Sequence, residues 1–131
     1  MSDLTRSQKL CERHALSKED LRTMKKAVSS AQNLRETAIK ESMTWSDVKT
    51  KFCAGYCLFC VVDLRLRLAR KLTREGLECM LCPWLLLEEE NCVSYLDHKD
   101  AIARYKRWLK ELDQLIDWTE AKNATRIHTG V

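Results

Sequence analysis

Apolar residues recur every three or four positions along two long stretches of the chain, which is the spacing of one face of an α-helix. In the first stretch, Ser17 and Asp20 form a capping-box pattern that starts a helix, predicted over residues 18–41. The apolar face of this helix consists of Leu21, Met24, Val28, Ala31, Leu34, Ala38 and Ile39.

The second stretch predicts a helix over residues 98–122, started by Asp97 and Asp100. Its apolar residues at heptad spacing are Ile102, Tyr105, Leu109, Leu112 and Ile116, with Trp108, Leu115 and Trp118 beside them. Such a face is buried either inside the monomer or against a second copy of the chain. Because the heptad pattern is short, burial within the monomer is favoured, and a homodimer through residues 99–122 is the alternative.

Shorter helices are predicted between these two. Thr44 and Asp47 repeat the capping pattern. A further apolar stripe, ended by Gly76, predicts a second short helix. Its residues are Val61, Leu64, Leu68 and Leu72. Proline is tolerated in the first turn of a helix, so Pro83 predicts a third short helix, over residues 83–90. The polar residues 1–16 are expected to be loosely held.

Composition supports an all-α fold. The 131 residues include three glycines and one proline, too few turn formers for a sandwich or a barrel, and the length suits one domain. No N-terminal apolar segment resembles a signal peptide, and no apolar run is long enough to cross a bilayer. We therefore expect an intracellular protein of the cytoplasm or nucleus, in a reducing compartment, neither secreted nor bound to membranes.

Four cysteines carry the strongest chemical signal. Cys57 and Cys60 form one C-x2-C pair, Cys79 and Cys82 form another, and eighteen residues separate the pairs. This spacing is typical of a zinc site with four thiolate ligands, although cysteines are also common in cores. Four thiolates leave no open position for water, so the zinc ion would stabilise the fold and would not catalyse a reaction.

A second zinc site is an open alternative. Cys53, Cys92 and His98 lie near the first set in the sequence, and Cys11 with His14 forms a C-x2-H pair farther away. The other interpretation is a buried Cys92 and an exposed His98 in the first turn of a helix.

The predicted single domain divides into a helical arm over residues 1–52, a zinc-binding module over 53–98, a helix over 99–122 and a flexible tail over 123–131.

Basic residues mark the helix between the two cysteine pairs. They are Arg65, Arg67, Arg70, Lys71 and Arg74. Such a row can follow phosphates, form a solvated helix face, or contact a partner protein. With a net charge of only +4, we expect a protein surface as the partner, with Arg67 and Arg70 projecting from one side of the helix toward carboxylates.

The carboxyl end of the chain and its lack of catalytic motifs also bear on function. Thr129 and Val131 match the hydroxyl and aliphatic positions of a PDZ-domain ligand; an unstructured tail is the alternative. The chain has no Gly-rich phosphate loop and no G-x-S-x-G motif, and its cysteines are better used as ligands than as nucleophiles. The sequence therefore predicts a protein that is not an enzyme.

The stretch from Cys53 to Glu88 resembles the cysteine-rich unique region of polyomavirus small tumour antigens. The matching residues are Cys57-Leu58-Phe59-Cys60, Leu64-Arg65-Leu66-Arg67, Arg70-Lys71, Cys79-Met80-Leu81-Cys82 and Trp84. The resemblance implies two bound zinc ions, no enzymatic activity and docking on the scaffold subunit of protein phosphatase 2A. The J domain of that family is absent here, and residue 77 is Leu where the family has a further cysteine.

Together these features predict a regulatory adaptor, stabilised by zinc and similar to viral accessory proteins, that binds a host protein. The main alternative is a zinc-dependent RNA-binding protein, which resembles the cysteine-rich silencing suppressors of plant viruses in general plan. This alternative requires the basic residues of the helix between the cysteine pairs and an affinity that falls steeply with salt. An enzyme with a reactive cysteine is the least favoured class.

Overall fold

The computed structural model describes residues 4–53, 57–71, 81–88 and 96–129. These residues form helices with no strand among them, so the all-α prediction is confirmed. The helices are α1 (Arg6–Arg13), α2 (Lys18–Lys40), α3 (Trp45–Phe52), α4 (Leu58–Ala69), α5 (Pro83–Leu87) and α6 (His98–Thr129). Among the described residues, no helix is long and apolar enough to cross a membrane.

Both predicted capping boxes are present. The Ser17 hydroxyl accepts from the backbone N–H of Asp20, whose carboxylate accepts from the N–H of Ser17, at the start of α2. Thr44 and Asp47 make the same reciprocal pair at the start of α3. Each box satisfies two N–H groups that the first helical turn leaves without partners, which is why the sequence marks these starts well.

The N-terminal residues are more ordered than the sequence predicts. Thr5 and Gln8 form a third capping box and start α1. Cys11 and Leu16 are buried in the core, and the Ser7 hydroxyl donates to the carbonyl of Leu86 near the end of α5. The expectation of a loosely held segment over residues 1–16 is therefore wrong for the residues from 4 onward.

The long helices α2 and α6 pack side by side and run antiparallel. Near the start of α2, Arg22 pairs with Glu120 of α6, and farther along Lys25 pairs with Asp113 at 2.6 Å. Near the end of α2, Arg35 donates to the carbonyl of Leu96, just before α6 begins. The apolar face of α6 is thus buried within the monomer, which is the arrangement that the short heptad pattern favours.

The buried face of α6 is rotated from the predicted stripe. Ile102 and Leu109, both in that stripe, are only partly buried. The buried residues of this helix are Ala101, Tyr105, Trp108, Leu112, Leu115, Ile116 and Thr119. Apart from Ile116, these positions are again three or four residues apart, so the buried stripe keeps the predicted spacing and is shifted by one position at Ala101, Trp108 and Leu115.

Aromatic rings join α4 and α5 to α6. The ring of Phe59 meets Tyr105 and Trp108 edge to face, with centroids 5.6 and 5.7 Å apart. Trp84 meets Trp108 at 5.1 Å in the same manner. Such edge-to-face pairs are favourable beyond the area they bury. They place the start of α4, where Cys57 and Cys60 lie, against the N-terminal third of α6.

Two helix ends differ from the predicted positions. α4 ends at Ala69, before Gly76, which lies outside the described residues, and Lys71 has a φ of 59° just beyond the end. At the C-terminal end of the chain, α6 continues through Thr129. The predicted flexible tail over 123–131 is therefore helical up to residue 129.

Candidate metal and partner-binding site

Cys57 and Cys60 lie at the start of α4. Cys57 is the N-cap residue, with an extended backbone and no hydrogen bond from its side chain to the helix, and Cys60 is one turn farther along and exposed. The first C-x2-C pair thus lies at a helix start.

Cys53 belongs to the same neighbourhood. It is the C-cap residue of α3 and is half-buried. Burial raises the pKa of the Cys53 thiol, the nearby Cys57 raises it further, and Lys49 lowers it. The structure therefore brings a third thiol within electrostatic reach of the first pair.

The segment that carries the second cysteine pair packs against α4. Leu81, between Cys79 and Cys82, donates its backbone N–H to the Asp63 carboxylate at 2.7 Å. Cys82 is buried and is the N-cap residue of α5, with Pro83 at the first helical position as predicted. Asp63 lies one turn beyond Cys60, so this bond holds the second cysteine segment beside the helix that follows the first pair.

Three of the four cysteines in the predicted zinc site, Cys57, Cys60 and Cys82, lie among the described residues. Within the described ranges, no three Cys, His, Asp or Glu side chains are grouped closely enough to hold a metal ion. Cys79 and Cys92, which the predicted sites require, lie outside those ranges. Cys57, Cys60 and Cys82, the described members of the first set, all lie at or near helix starts beside α4.

His98 is held by hydrogen bonds at both ring nitrogens. Nδ1 lies 3.1 Å from Nη1 of Arg35, which donates, and Nε2 lies 2.8 Å from the carbonyl oxygen of Met43, to which it donates. Arg35 is itself buried and stacks 4.0 Å from the ring centroid of Trp45. His98 would have to give up one of these bonds to bind zinc, so the structure uses it to join α2, α3 and α6.

Arg67 is an interior residue of α4. It is 7% exposed, and its Nε donates to the Asp63 carboxylate at 2.9 Å. The sequence interpretation of Arg67 as a surface contact is therefore corrected. Asp63 and Arg67 face the core together because they are four residues apart on one helix.

Arg70 also has an internal role. Its guanidinium donates to the backbone carbonyls of His14 and Ala15 and pairs with Asp20, which locks the end of α4 onto the turn between α1 and α2. The prediction that Arg67 and Arg70 project together toward a partner is thus wrong in its geometry. Helical periodicity predicts that both arginines lie on one side of the helix. It does not determine whether that side faces the core or the solvent.

The exposed cations of this region are Arg65 and Lys71. No ion pair joins either one to a carboxylate within the described part of the chain. Arg74, the fifth residue of the predicted basic row, lies outside the described residues. The cationic surface of α4 is therefore smaller than the sequence suggests.

Three apolar side chains of α4 point away from the core. Val61 is 42% exposed, Leu64 47% and Leu68 54%. The sequence analysis assigned these residues to the apolar face, but the buried apolar residues of α4 are Phe59, Val62 and Leu66. α4 is apolar on nearly every side, so helical periodicity does not separate its inner face from its outer one. This exposed apolar row is a surface feature that the sequence prediction missed.

The remaining candidate groups do not form a reactive site among the described residues. Burial raises the pKa of the Cys11 thiol to about 11, with Lys122 opposing the shift, so Cys11 is protonated at neutral pH. His14 lies three residues away, and burial together with Arg13 and Arg70 lowers its pKa. The backbone of Thr129 is helical, and Val131 lies outside the described residues.

Comparison with protein families, with curated proteins and with solved structures finds no match to this chain.

Proposed function

We propose that this protein is a regulatory adaptor without enzymatic activity, which binds a partner protein through the exposed side of α4. The observation that carries the proposal is the row formed by Val61, Leu64 and Leu68, each more than two-fifths exposed. A monomer that leaves three large apolar side chains along one helix exposes surface that a partner can bury. Truncating such a side chain weakens binding strongly where the side chain lies at the centre of an interface.

Zinc is the proposed structural cofactor of this adaptor, held by Cys57, Cys60, Cys79 and Cys82. Two observations support it: the first cysteine pair lies at the start of α4, and the Leu81 backbone is bonded to Asp63 on the same helix. The metal would hold the two segments that frame the binding row, in a reducing compartment where thiols remain available as ligands.

Nucleic-acid binding is less well supported. That hypothesis needs Arg65, Arg67, Arg70 and Lys71 to face phosphates, but Arg67 is buried and Arg70 is bonded to the turn after α1. Within the described part of the basic row, the two exposed cations Arg65 and Lys71 would release few counterions and so give little affinity for RNA.

Elemental analysis of the purified chain tests the zinc component. We expect one to two zinc ions per chain, a loss of zinc in Cys57→Ser, and loss of helicity when a strong chelator removes the metal. Cys11→Ala is the control, because Cys11 is a core thiol outside the proposed ligand set. A chain that remains fully helical without metal would contradict a structural zinc ion.

Affinity capture from cell lysate tests the adaptor component. The immobilised wild-type chain should retain partner proteins that Leu64→Asp fails to retain. Ile39→Asp is a matched control, because Ile39 is 43% exposed but lies on α2. The resemblance to small tumour antigens makes the purified scaffold subunit of protein phosphatase 2A the first defined probe. Equal retention by the wild-type and Leu64→Asp chains would contradict binding through α4.

A further inference from the structure

The exposed side of α4 has the shape of a helix-binding ridge. Val61, Leu64 and Leu68 are three and four residues apart, so they form one row about 10 Å long at 1.5 Å per residue. Rows of this spacing pack into the grooves of a second helix. Partner helices that bind in this manner present their own apolar residues at the same three-and-four spacing.

Among the described residues of α4 and its end, the exposed charges have one sign. Arg65 follows Leu64 directly, Lys71 lies just beyond the end of α4, and both are exposed. The only carboxylate of α4 is Asp63, which is buried and bonded to Arg67 and Leu81. Arg65 on α4 and Lys71 just beyond its end therefore present positive charge with no exposed anion from α4, and carboxylates on a partner would complement them.

This charge pattern disfavours a second copy of the same chain as the occupant. Two α4 helices packed through their rows in antiparallel fashion about Leu64 would bring Arg65 of each copy close to the other. In a parallel pairing, Lys71 would meet Lys71. Like charges at an interface select against the pairing.

From the row and its flanking charges, and resting on the proposed adaptor function, we propose that the partner segment is an acidic amphipathic helix. Its apolar residues pack across Val61, Leu64 and Leu68, and its Asp or Glu side chains pair with Arg65 and Lys71.

A phage-displayed library of 18-residue amphipathic helices, with a fixed apolar stripe and random flanking positions, tests the inference on the full chain. We expect selection to enrich Asp and Glu at the flanking positions. A selected peptide should bind Leu64→Asp at least about tenfold more weakly than wild type. Selection on Arg65→Glu should enrich Lys or Arg at the flanking position that faces residue 65.

Two control variants separate this surface from general effects of charge and polarity. Ile39→Asp places a carboxylate at an equally exposed apolar position on α2, and Lys26→Glu reverses an exposed charge of the same helix. Both variants should bind the selected peptides as wild type does. Unchanged helicity in Leu64→Asp shows that the fold is intact and that the loss of affinity arises at the surface.

Four outcomes would overturn the inference: no enriched peptide, enrichment of neutral or basic flanks, peptides that tolerate Leu64→Asp, or a dimer of the free chain that Leu64→Asp abolishes in sedimentation. Salt-sensitive RNA binding that Arg65→Glu abolishes would also overturn it. If lysate capture depends on Leu64 but selection shows no acidic preference, the adaptor function stands and the acidic helix fails. If neither depends on Leu64, both proposals fail.

Discussion

The Asp63 carboxylate accepts a hydrogen bond from the backbone N–H of Leu81 at 2.7 Å. The same carboxylate accepts from Nε of Arg67 at 2.9 Å, and both side chains are buried. One acidic group thus joins the helix after the first cysteine pair to the segment within the second pair. This bond holds the backbone of Leu81, next to Cys82, beside α4.

Asp63→Ala should strongly destabilise the fold, because it leaves the buried Arg67 guanidinium without its carboxylate and the Leu81 N–H without this acceptor. We expect a loss of about 3–5 kcal/mol in the free energy of unfolding, measured by urea denaturation. Zinc content should fall as well. Asp117→Ala, which removes an exposed carboxylate of α6, is the control and should change stability by less than about 0.5 kcal/mol. A midpoint for Asp63→Ala equal to that of the control would show that the bond contributes little.

Arg67→Glu and Arg65→Glu form a matched pair on one helix. Arg67→Glu places a second carboxylate beside buried Asp63, and we expect it to destabilise the chain by more than about 3 kcal/mol. Arg65 is exposed, so Arg65→Glu should leave thermal unfolding close to that of wild type. Circular dichroism during heating measures both. Similar melting curves for the two variants would place Arg67 on the surface and contradict the structure.

Leu112 and Leu109 test which face of α6 is buried. Leu112 is fully buried, so Leu112→Ala should cost about 2–5 kcal/mol in the free energy of unfolding. Leu109 is only partly buried at the edge of the core, so Leu109→Ala should cost less than Leu112→Ala. Denaturant titration of both variants measures the two losses in the free energy of unfolding. A larger loss for Leu109→Ala would support the buried face of α6 that the sequence predicted.

Glu88 should make stability depend on acidic pH. Burial, the largest single cause, raises the pKa of Glu88, but hydrogen bonds from Trp108 and Arg107 together with the positive charges of Arg107 and Arg104 outweigh it and hold the pKa below its ordinary value of 4.5. Because the folded pKa is lowered, the carboxylate stabilises the fold above the ordinary pKa, and this contribution is lost as the pH falls through the folded value.

The Glu88→Gln variant measures this contribution. It should lose less stability than wild type between about pH 6 and about pH 3, as measured by urea denaturation at each pH. Glu120→Gln, which changes a more exposed carboxylate of α6, serves as the control and should follow the wild-type profile more closely. An unchanged pH profile in Glu88→Gln would show that Glu88 has the same pKa in the folded and unfolded chains.

Local signals in the sequence predicted the helix starts well. Ser17 with Asp20, Thr44 with Asp47, and Pro83 each mark a helix start that the structure confirms. These signals are reliable because their hydrogen bonds and backbone preferences involve residues three positions apart or fewer. The predicted end of α4 at Gly76 was wrong, because the helix ends at Ala69. The next residue, Arg70, donates hydrogen bonds to the carbonyls of His14 and Ala15 in the turn between α1 and α2.

The candidate site was only partly predictable. Spacing identified Cys57 and Cys60 as a pair, and the structure places them at a helix start. The contact between Asp63 and Leu81 spans eighteen positions, and no local pattern indicates it. His98 illustrates the same limit, because its partners Arg35 and Met43 lie 63 and 55 residues away in the sequence.

The sequence by itself determined that this chain is helical, where its two long helices start, and which cysteines are paired by spacing. These properties follow from interactions between residues close together in the chain. Only the tertiary structure decided which side of α4 is buried, because Val61, Leu64 and Leu68 are as apolar as Phe59, Val62 and Leu66. Packing against Tyr105, Trp108 and α2 buries one row and exposes the other. The same packing directs Arg67 inward and leaves Arg65 in solvent, since a helix anchored by one face must expose the opposite one.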